Sequence, residues 1–592
     1  MADRAHTDGS QAALPAIPTL EELQHWTWVM GRAQQMLMEH GFDMLARLPE
    51  PPAHSPASPP ALFDPVPAIR ASADFWADTM QLWQRFLDPA AAGAAPPEPP
   101  ERARDKRFKA PQWREQPLFD FIRQSYLLIA DHMVKGVDAI DGVDERQKER
   151  IRFATQGFID AMSPSNFAAT NPLVLEKIVE TRGESMLKGL QNMLADIEKG
   201  QLTHTDSAAF EVGRNIATTP GKVVKRTPLY ELIHYAPTTE QVFATPLVIF
   251  PPWINRFYIL DLTPEKSFIR WAVEQGLSVF VVSWKSADAS MKDVVWDDYV
   301  ERGQIDAIDT IRELLGVESV HAIGYCVAGT TLAATLALLE ARGEAGKVAS
   351  ATFFTAQVDF EQAGDLNLFV DDEQLKLIQS LSGDGYLDGR YMAATFNLLR
   401  GRDLIWNYVT NNYLMGEEYA PFDLLHWNGD VTNLPARWHQ SYLSDLYRDN
   451  KLVRPGAISI SGTPIDLGTV RTPTYVQAGR EDHIAPAESV WKITQHFAGP
   501  IRFVLAGSGH IAGVVNPPSA QKYQYWTNDE PAETLEAFVA GARETKGSWW
   551  PDWLGWIGER APAKVAAESA RIPGEGALAA LADAPGDYVR MR

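Results

Sequence analysis

The chain has 592 residues, of which 45% are hydrophobic and 10% aromatic, enough to build two or more domains with large cores. Its formal net charge of -22 argues against a nucleic-acid-binding protein, because affinity for phosphate comes mostly from clustered lysine and arginine. The sequence has no apolar run of the roughly 18 residues that a transmembrane helix needs, no signal-peptide pattern, and a single cysteine, which excludes an internal disulfide. We therefore expect a cytoplasmic protein with no transmembrane segment and no metal site.

The first part of the chain, residues 1–210, is predicted to form an all-α N-terminal domain. Apolar residues recur at helical spacing over residues 18–49, over 73–89 and again from 104 to about 200. Stretches rich in proline and alanine separate these helices at about 50–70 and 89–103, and their composition is typical of flexible linkers.

The second part, residues 211–592, alternates short β-rich runs with helical patterns, which indicates a mostly parallel sheet with helices on both faces. The runs are continuously apolar, as strands covered on both faces should be. A segment at about 361–470 is too long for a simple connection between strand and helix, and we interpret it as an inserted cap, or lid. The predicted strands are 246–250, 277–284, 319–323, 351–358, 473–479 and 501–507.

The only cysteine, Cys326, lies in "GYCVAG", between one of these strands and an alanine-rich helix. This is the context of a nucleophile elbow, the sharp strand-to-helix turn of the α/β-hydrolase fold. The helix N-terminus would stabilise a thiolate, and the N–H of Val327 would point into an oxyanion site. A free cysteine is more often a small buried hydrophobe, and Ala328 departs from the glycine of the G-x-S-x-G pattern. We nevertheless predict that Cys326 is the nucleophile.

An acid and then a histidine should follow the nucleophile, each on a loop after a strand. Asp482 follows the strand 473–479, and His510 follows the strand 501–507. Singly, each residue has a commoner role as a turn former or a hydrogen-bonded surface residue, but together they complete a predicted triad. His483 competes with His510 but neighbours the acid, so we expect it to support the site. The second oxyanion donor is expected within "PPWIN" at 251–255, at Ile254.

A cysteine nucleophile indicates acyl transfer through a thioester. A thiolate that attacks an oxygen ester must expel a poorer leaving group than itself, whereas attack on a thioester is close to energetic balance. The residue type therefore favours an acyl-CoA donor and a covalent intermediate that is passed on. No further cofactor is expected, since coenzyme A would enter as part of the substrate and leave as product.

The chain resembles the class I polyhydroxyalkanoate synthases, the polyester-forming poly(3-hydroxyalkanoate) polymerases of the polyhydroxybutyrate type. The resemblance covers roughly residues 104 to 560, and Ala328 stands where the family usually has a second glycine. The stretches that carry it are "RDKRFKAPQW" (104–113), "MSPSNFAATNP" (162–172), "TPGKVVKRTPLYELI" (219–233), "PPWINRFYILDL" (251–262), "GYCVAGT" (324–330), "FDLLHWN" (422–428), "DHIAP" (482–486) and "GSGHIAGVVNPP" (507–518).

This resemblance implies polymerisation of (R)-3-hydroxyacyl-CoA with release of CoA, with the family's triad on Cys326, Asp482 and His510. It also implies a homodimer attached to cytoplasmic polyester granules, with phasins as neighbours. Two alternatives remain open: a thioesterase or depolymerase with the same triad, and a non-catalytic granule-coat protein. The CoA contacts are not located; "VVKR" and "ARWHQ" are weak candidates, and the Trp-rich stretch at 547–559 is expected to pack as a helix on the core.

Overall fold

The computed structural model describes residues 65–87, 104–140 and 142–592. The helix predicted over 18–49, the linker predicted over 89–103 and most of the linker predicted over 50–70 lie outside the described residues. Contacts divide the chain into two units, Met1–Leu202 with Arg400–Tyr419, and Thr203–Leu399 with Ala420–Arg592. The domain boundary near residue 210 stays a prediction, and residues 400–419 of the predicted cap cluster with the first unit.

The described part of the first unit is helical, as the apolar spacing predicts. Its helix Pro65–Leu87 begins inside the linker predicted over 50–70, because proline suits the first turn of a helix, where its missing N–H has no intrahelical partner to lose. Phe108, Trp113 and Leu127 form a small buried core. The other α-helices of this unit are Gln112–Glu115, Pro117–Asp138, Glu145–Ala161, Pro172–Glu180 and Glu184–Lys199, followed by the π-helical turns Arg402–Trp406 and Val409–Leu414.

An 11-stranded sheet forms the centre of the second unit. In chain order its strands are β1 (Gly221–Arg226), β2 (Tyr230–Tyr235), β3 (Leu247–Phe250), β4 (Val279–Trp284), β5 (Val320–Tyr325), β6 (Val348–Phe354), β7 (Thr474–Gly479), β8 (Ile501–Ala506), β9 (Gln524–Thr527), β10 (Arg543–Lys546) and β11 (Ala582–Asp583). Their order across the sheet is β10-β9-β8-β7-β6-β5-β3-β4-β2-β1-β11. The central strands from β8 to β4 run parallel, and the strands on either side are antiparallel.

The sheet is buried on both faces because most positions of its central strands are apolar. Val248 and Phe250 point into one hydrophobic cluster, and Leu247 and Ile249 point into the other. Successive side chains of a strand face opposite sides, so a continuous apolar run fills two cores at once. The predicted α/β-hydrolase fold is confirmed.

Helices cover both faces of this sheet and form the insertion after β6. The α-helices of the second unit are Phe268–Glu274, Trp296–Asp298, Asp306–Leu315, Val327–Ala341, Asp372–Leu381, Gly389–Leu399, Asp423–Gly429, Ala436–Ser441, Ala487–Trp491, Ile493–His496, Leu535–Gly541 and Trp550–Arg560, and π-helical turns span Tyr299–Ile305 and Tyr442–Arg448. Three two-stranded sheets pair Gln241–Phe243 with Lys564–Ala566, Tyr386–Leu387 with Leu434–Pro435, and Ser459–Ile460 with Thr463–Pro464. Among the described residues, no helix combines the length and the hydropathy that a membrane span requires.

The Trp-rich stretch at 547–559 packs on the core, as predicted. Trp549 and Trp550 are fully buried, and their indole N–H groups donate to the carbonyl oxygens of Gly513 and Val514 at 2.7 and 2.9 Å. Because these carbonyls belong to the loop after β8, the tryptophans support the part of the chain that carries the predicted histidine.

Candidate active site

Cys326 occupies a strained turn between β5 and the helix Val327–Ala341. Its φ of 52° and ψ of −127° lie in a region that a non-glycine residue adopts only at a cost of about 1–3 kcal/mol. The turn is held by the N–H of Cys326, which donates to the carbonyl of Phe354 at 3.0 Å, and by its carbonyl, which accepts from Gly329 at 2.8 Å. The structure thus places Cys326 in the elbow that the sequence predicts, with the thiol half-buried.

The close approach at this elbow is made by Gly324 and Gly329 rather than by residue 328. A Cβ on Gly324 would lie 2.5 Å from the Cα of Gly329, and a Cβ on Gly329 would lie 2.4 Å from the Cβ of Ala356. Ala328 is fully buried, and its carbonyl accepts a hydrogen bond from Gln304 Nε2 at 2.9 Å. The elbow therefore accommodates alanine at 328 while keeping glycine where the strand and the helix touch.

Asp482 and His510 meet at the edge of the sheet where parallel strands β7 and β8 end. His510 Nδ1 lies 2.7 Å from Asp482 Oδ2, and both side chains are buried. The other carboxylate oxygen, Oδ1, accepts the N–H groups of Ile484 and Ala485 at 2.8 and 2.9 Å, which fixes the orientation of the acid. Glu481, the neighbouring acid, is exposed.

The imidazole of His510 interacts with Cys326 as well as with Asp482. Burial on its own lowers the pKa of His510, but the negative charges of the Asp482 carboxylate and of an ionised Cys326, together with the hydrogen bond to Asp482, raise that pKa from 6.5 to about 10. When Cys326 is ionised, the imidazole therefore keeps the proton at neutral pH. The arrangement can hold a thiolate–imidazolium pair oriented by a buried carboxylate.

Tyrosines that sequence reasoning did not identify also surround the thiol. Tyr325 donates from its hydroxyl to the carbonyl of His510 at 3.0 Å, which ties the elbow to the histidine loop. Tyr447, from the segment after β6, accepts from Gln357 Nε2 at 3.3 Å, and its ring packs edge-on against that of Tyr442 with centroids 5.5 Å apart. Burial and then the charge of Cys326 raise the pKa of Tyr447, so its hydroxyl stays protonated. Only Tyr325 could have been identified from the sequence, because it directly precedes Cys326 in "GYCVAG".

The two predicted oxyanion donors lie on neighbouring parts of the sheet edge. Val327 is the first residue of its helix, so its N–H has no partner within the helix. Ile254 lies in the loop after β3, and β3 pairs directly with β5 through the register Phe250 to Gly324. The role of either N–H stays a prediction, as does the supporting role of His483, which is half-buried beside Asp482.

The basic residues of "VVKR" are engaged in ion pairs. Lys225 Nζ lies 2.7 Å from Asp306 Oδ2, and Arg226 pairs with Glu231 and Asp587. These partners make the stretch a poor CoA phosphate site. In the part of the chain that the structure describes, no group of three or more His, Cys, Asp or Glu residues is placed to hold a metal ion.

Comparison with known families places this site in a functional context. Residues 104–272 match the model of the poly-beta-hydroxybutyrate polymerase (PhaC) N-terminus, and residues 265–517 match the alpha/beta hydrolase fold. The chain is 44% identical over 536 residues to the poly(3-hydroxyalkanoate) polymerase subunit PhaC of Rhizobium meliloti (strain 1021), covering 90% of this chain and 87% of that protein. The chain belongs to the poly(3-hydroxyalkanoate) polymerase family.

Two further polymerases resemble this chain to a similar degree. The chain is 43% identical to the polymerase subunit PhaC of Cupriavidus necator, over 87% of each chain. It is 45% identical to the poly(3-hydroxyalkanoate) polymerase of Methylorubrum extorquens, over 90% of this chain and 88% of that one. As a poly(3-hydroxyalkanoate) polymerase, the protein is an acyltransferase built on an α/β-hydrolase fold.

Proposed function

We propose that this polymerase converts (R)-3-hydroxyacyl-CoA, with 3-hydroxybutyryl-CoA as its preferred substrate, into polyhydroxyalkanoate with release of CoA, through a thioester on Cys326. The observation that supports this most directly is the buried Asp482–His510 pair beside a cysteine held in a strained elbow, in a chain of the polymerase family. The substrate, the covalent intermediate and the residue roles below are parts of the same proposal.

In the acylation step, His510 takes the proton of Cys326, and the thiolate attacks the carbonyl carbon of the acyl-CoA. A carbon–sulfur bond forms, and the carbonyl electrons move to an oxyanion that the N–H groups of Val327 and Ile254 would stabilise. Collapse of this intermediate expels the CoA thiolate, which takes the proton back from His510. Asp482 supports both transfers because it holds the imidazole in place and raises its pKa.

In the elongation step, the 3-hydroxyl of an incoming unit or of the growing chain attacks the acyl group on Cys326. His510 now removes the proton of that hydroxyl, an ester bond forms, and the carbon–sulfur bond to Cys326 breaks to regenerate the thiolate. Water is a nucleophile of similar reactivity that His510 would activate equally well, so exclusion of water must come from the enclosure of the site. The buried Tyr447 and its hydrogen bond to Gln357 supply part of that enclosure.

We further propose that the enzyme works as a homodimer at the surface of cytoplasmic polyester granules, with phasins as neighbours. Membership of the polymerase family supports the granule association, because an insoluble product remains attached to the site that extends it.

An acyl donor that lacks the 3-hydroxyl group tests the covalent step. Butyryl-CoA is expected to acylate Cys326, and the reaction should then stop, because a butyryl group has no 3-hydroxyl that could attack the next thioester. Intact-protein mass spectrometry should show one butyryl group per chain, lost on treatment with hydroxylamine. Absence of the adduct, while CoA is released from 3-hydroxybutyryl-CoA, would exclude the Cys326 thioester.

A further inference from the structure

The loop at 251–256, which carries the proposed oxyanion donor, is fixed by partners far away in the sequence. The carbonyl of Trp253 accepts from Thr432 Oγ1 at 2.5 Å, and Asn255 pairs with Val431 as an isolated bridge. These contacts hold the loop against residues 431–432 of the insertion after β6. The last residue of the loop, Arg256, is its only charged member.

Arg256 is buried, with 2% of its surface exposed. Its guanidinium reaches three partners: Nε lies 3.3 Å from Asp430 Oδ1, Nη1 donates to the carbonyl of Tyr588 at 3.2 Å, and Nη2 donates to the carbonyl of Met591 at 2.5 Å. A weaker contact joins Nη2 to the carbonyl of Val431 at 3.4 Å. The planar fork of arginine can satisfy several acceptors at fixed angles, which a lysine ammonium cannot do.

The segment 588–592 that accepts these hydrogen bonds is itself fixed on the sheet. The preceding strand β11 pairs with β1 at the edge of the sheet. Glu231 Oε2 accepts the N–H groups of Asp587 and Tyr588, each at 3.0 Å, and the Tyr588 hydroxyl donates to the carbonyl of Thr227 at 2.6 Å. The segment therefore presents its carbonyl oxygens to Arg256 from a rigid support.

We propose that Arg256 is a positioning residue that ties the oxyanion loop to the segment 588–592, so that the loop's N–H groups stay aimed at the carbonyl that Cys326 attacks. This rests on the proposed function, in which Ile254 supplies one of those N–H groups. A shift of about 1 Å at such a donor costs up to about 100-fold in rate, because the oxyanion is stabilised only at a short distance.

A role limited to stability would leave a different signature. The Arg256–Asp430 pair is buried, and Asp430 also contacts Arg592, so removal of Arg256 takes away one of the two cationic partners of this carboxylate and destabilises the fold. Such destabilisation would lower the unfolding temperature, but in the folded protein it would affect the rates of acylation and alkylation of Cys326 equally. A positioning role acts only on reactions that pass through an oxyanion.

Two reagents separate these cases because Cys326 is the only thiol of the chain. Acylation by p-nitrophenyl acetate passes through a tetrahedral oxyanion, and it releases one p-nitrophenolate per chain in a measurable burst. Alkylation by iodoacetamide is a direct displacement at carbon and forms no oxyanion. The variants are Arg256→Lys, the charge-neutral double variant Arg256→Met with Asp430→Asn, and a chain lacking residues 588–592.

The control is Asp583→Asn, which breaks an exposed ion pair to Lys222 on the same part of the chain and leaves the contacts of Arg256 intact. In each folded test variant, we expect the acylation rate to fall about tenfold or more while alkylation stays within about twofold. The control should match the wild type in both reactions. Circular dichroism and thermal unfolding identify which variants are folded. If the double variant and the truncated chain do not fold, the test rests on Arg256→Lys.

Unchanged acylation in a folded variant, or an equal fall in acylation and alkylation, would overturn the positioning role. So would loss of the circular dichroism signal in Arg256→Lys as well, since Arg256 would then be required for the fold itself. The p-nitrophenyl ester keeps this result separate from the proposed function. A wild type that reacts with the ester but releases no CoA from 3-hydroxybutyryl-CoA refutes the substrate and leaves the test of Arg256 valid.

Discussion

His510 Nδ1 lies 2.7 Å from Asp482 Oδ2, and the Asp482 side chain is completely shielded from solvent. The pair links two loops that follow neighbouring parallel strands, and Gly479 permits their close approach, since a Cβ there would lie 2.8 Å from the carbonyl of Ser508. A buried carboxylate in this position favours the protonated imidazole. The pair thereby couples the protonation of His510 to both the chemistry and the stability of the protein.

Asp482→Asn is expected to lower the pKa of His510 and to slow acylation of Cys326 by about 100-fold or more. In the wild type, the folded pKa of His510 is raised from 6.5 to about 10, so its contribution to stability is complete below pH 6.5 and is lost as the pH rises through about 10. The difference in unfolding temperature between wild type and variant should therefore shrink from pH 6 to pH 10. Glu481→Gln, a change in the exposed neighbour, is the control and should show neither effect.

Gly329→Ala should destabilise the elbow by about 1–3 kcal/mol, because the new Cβ would lie 2.4 Å from the Cβ of Ala356 and 2.8 Å from the carbonyl oxygen of Gly324. Ala328→Gly, which restores the family's usual glycine, should keep the fold and the reaction, at a cost of at most about 1 kcal/mol from helix propensity. Thermal unfolding and acylation rates compare the two variants. Equal behaviour would show that strand and helix do not need the glycine contact.

His234→Phe should stabilise the protein more at pH 5 than at pH 8. His234 is stacked on Phe280 with ring centroids 4.1 Å apart, and neither ring nitrogen has a hydrogen-bond partner among the described residues. Burial, aided by the charge of Arg571, lowers the pKa of His234 from 6.5 to about 3. Below pH 6.5 the imidazole is protonated in the unfolded chain but stays neutral in the folded protein. The unfolding free energy therefore decreases as the pH is lowered, by roughly 2 kcal/mol at pH 5.

The measurement is the unfolding free energy of wild type and His234→Phe in urea at both pH values. The same difference at pH 5 and pH 8 would mean that His234 is not held neutral by its surroundings. His321 and His439, whose pKa values burial lowers to about 4, remain in both proteins, so the variant should recover only part of the acid stability.

Cys326→Ala should abolish CoA release, because the chain has no second thiol to carry the acyl group. The variant should also lose all reaction with iodoacetamide, which the wild type should take up at one equivalent per chain. The substitution should leave the fold intact, since alanine is smaller than cysteine and its Cβ lies in the same place. Polymer formation by the folded variant would rule out Cys326 as the acyl carrier.

The places of Cys326, Asp482 and His510 after strands of the sheet could be predicted because they depend on local order, namely a strand, a short loop and a residue type; their catalytic roles stay a prediction. The apolar strands β3 to β8 were predicted for the same reason. Strand β2 was missed because buried polar residues such as Glu231 and His234 interrupt its apolar pattern. Glu231 is buried because it binds Arg226 and the N–H groups of Asp587 and Tyr588, and His234 is buried without a hydrogen-bond partner in the described part of the chain. Neither environment can be inferred from the local sequence pattern.

The support of the loop 251–256, which carries the proposed oxyanion donor, was beyond prediction for a different reason. Arg256 and its acceptors Tyr588 and Met591 are more than 300 residues apart in the chain. Main-chain carbonyl oxygens carry no residue-type signal, and β11, which positions them, is only two residues long. Ala328, by contrast, was a visible departure from the family pattern, and the structure shows that the glycine contact lies one residue later, at Gly329.

The most direct test of the central claim is to incubate the purified protein with 3-hydroxybutyryl-CoA and to quantify released CoA, insoluble polyester and free 3-hydroxybutyrate together, with Cys326→Ala as the blank. We expect CoA release to be matched by hydroxybutyrate units in insoluble polyester, and both to be absent from the blank. CoA release matched instead by free 3-hydroxybutyrate, with no polyester, would contradict the account and show that the site is that of a thioesterase.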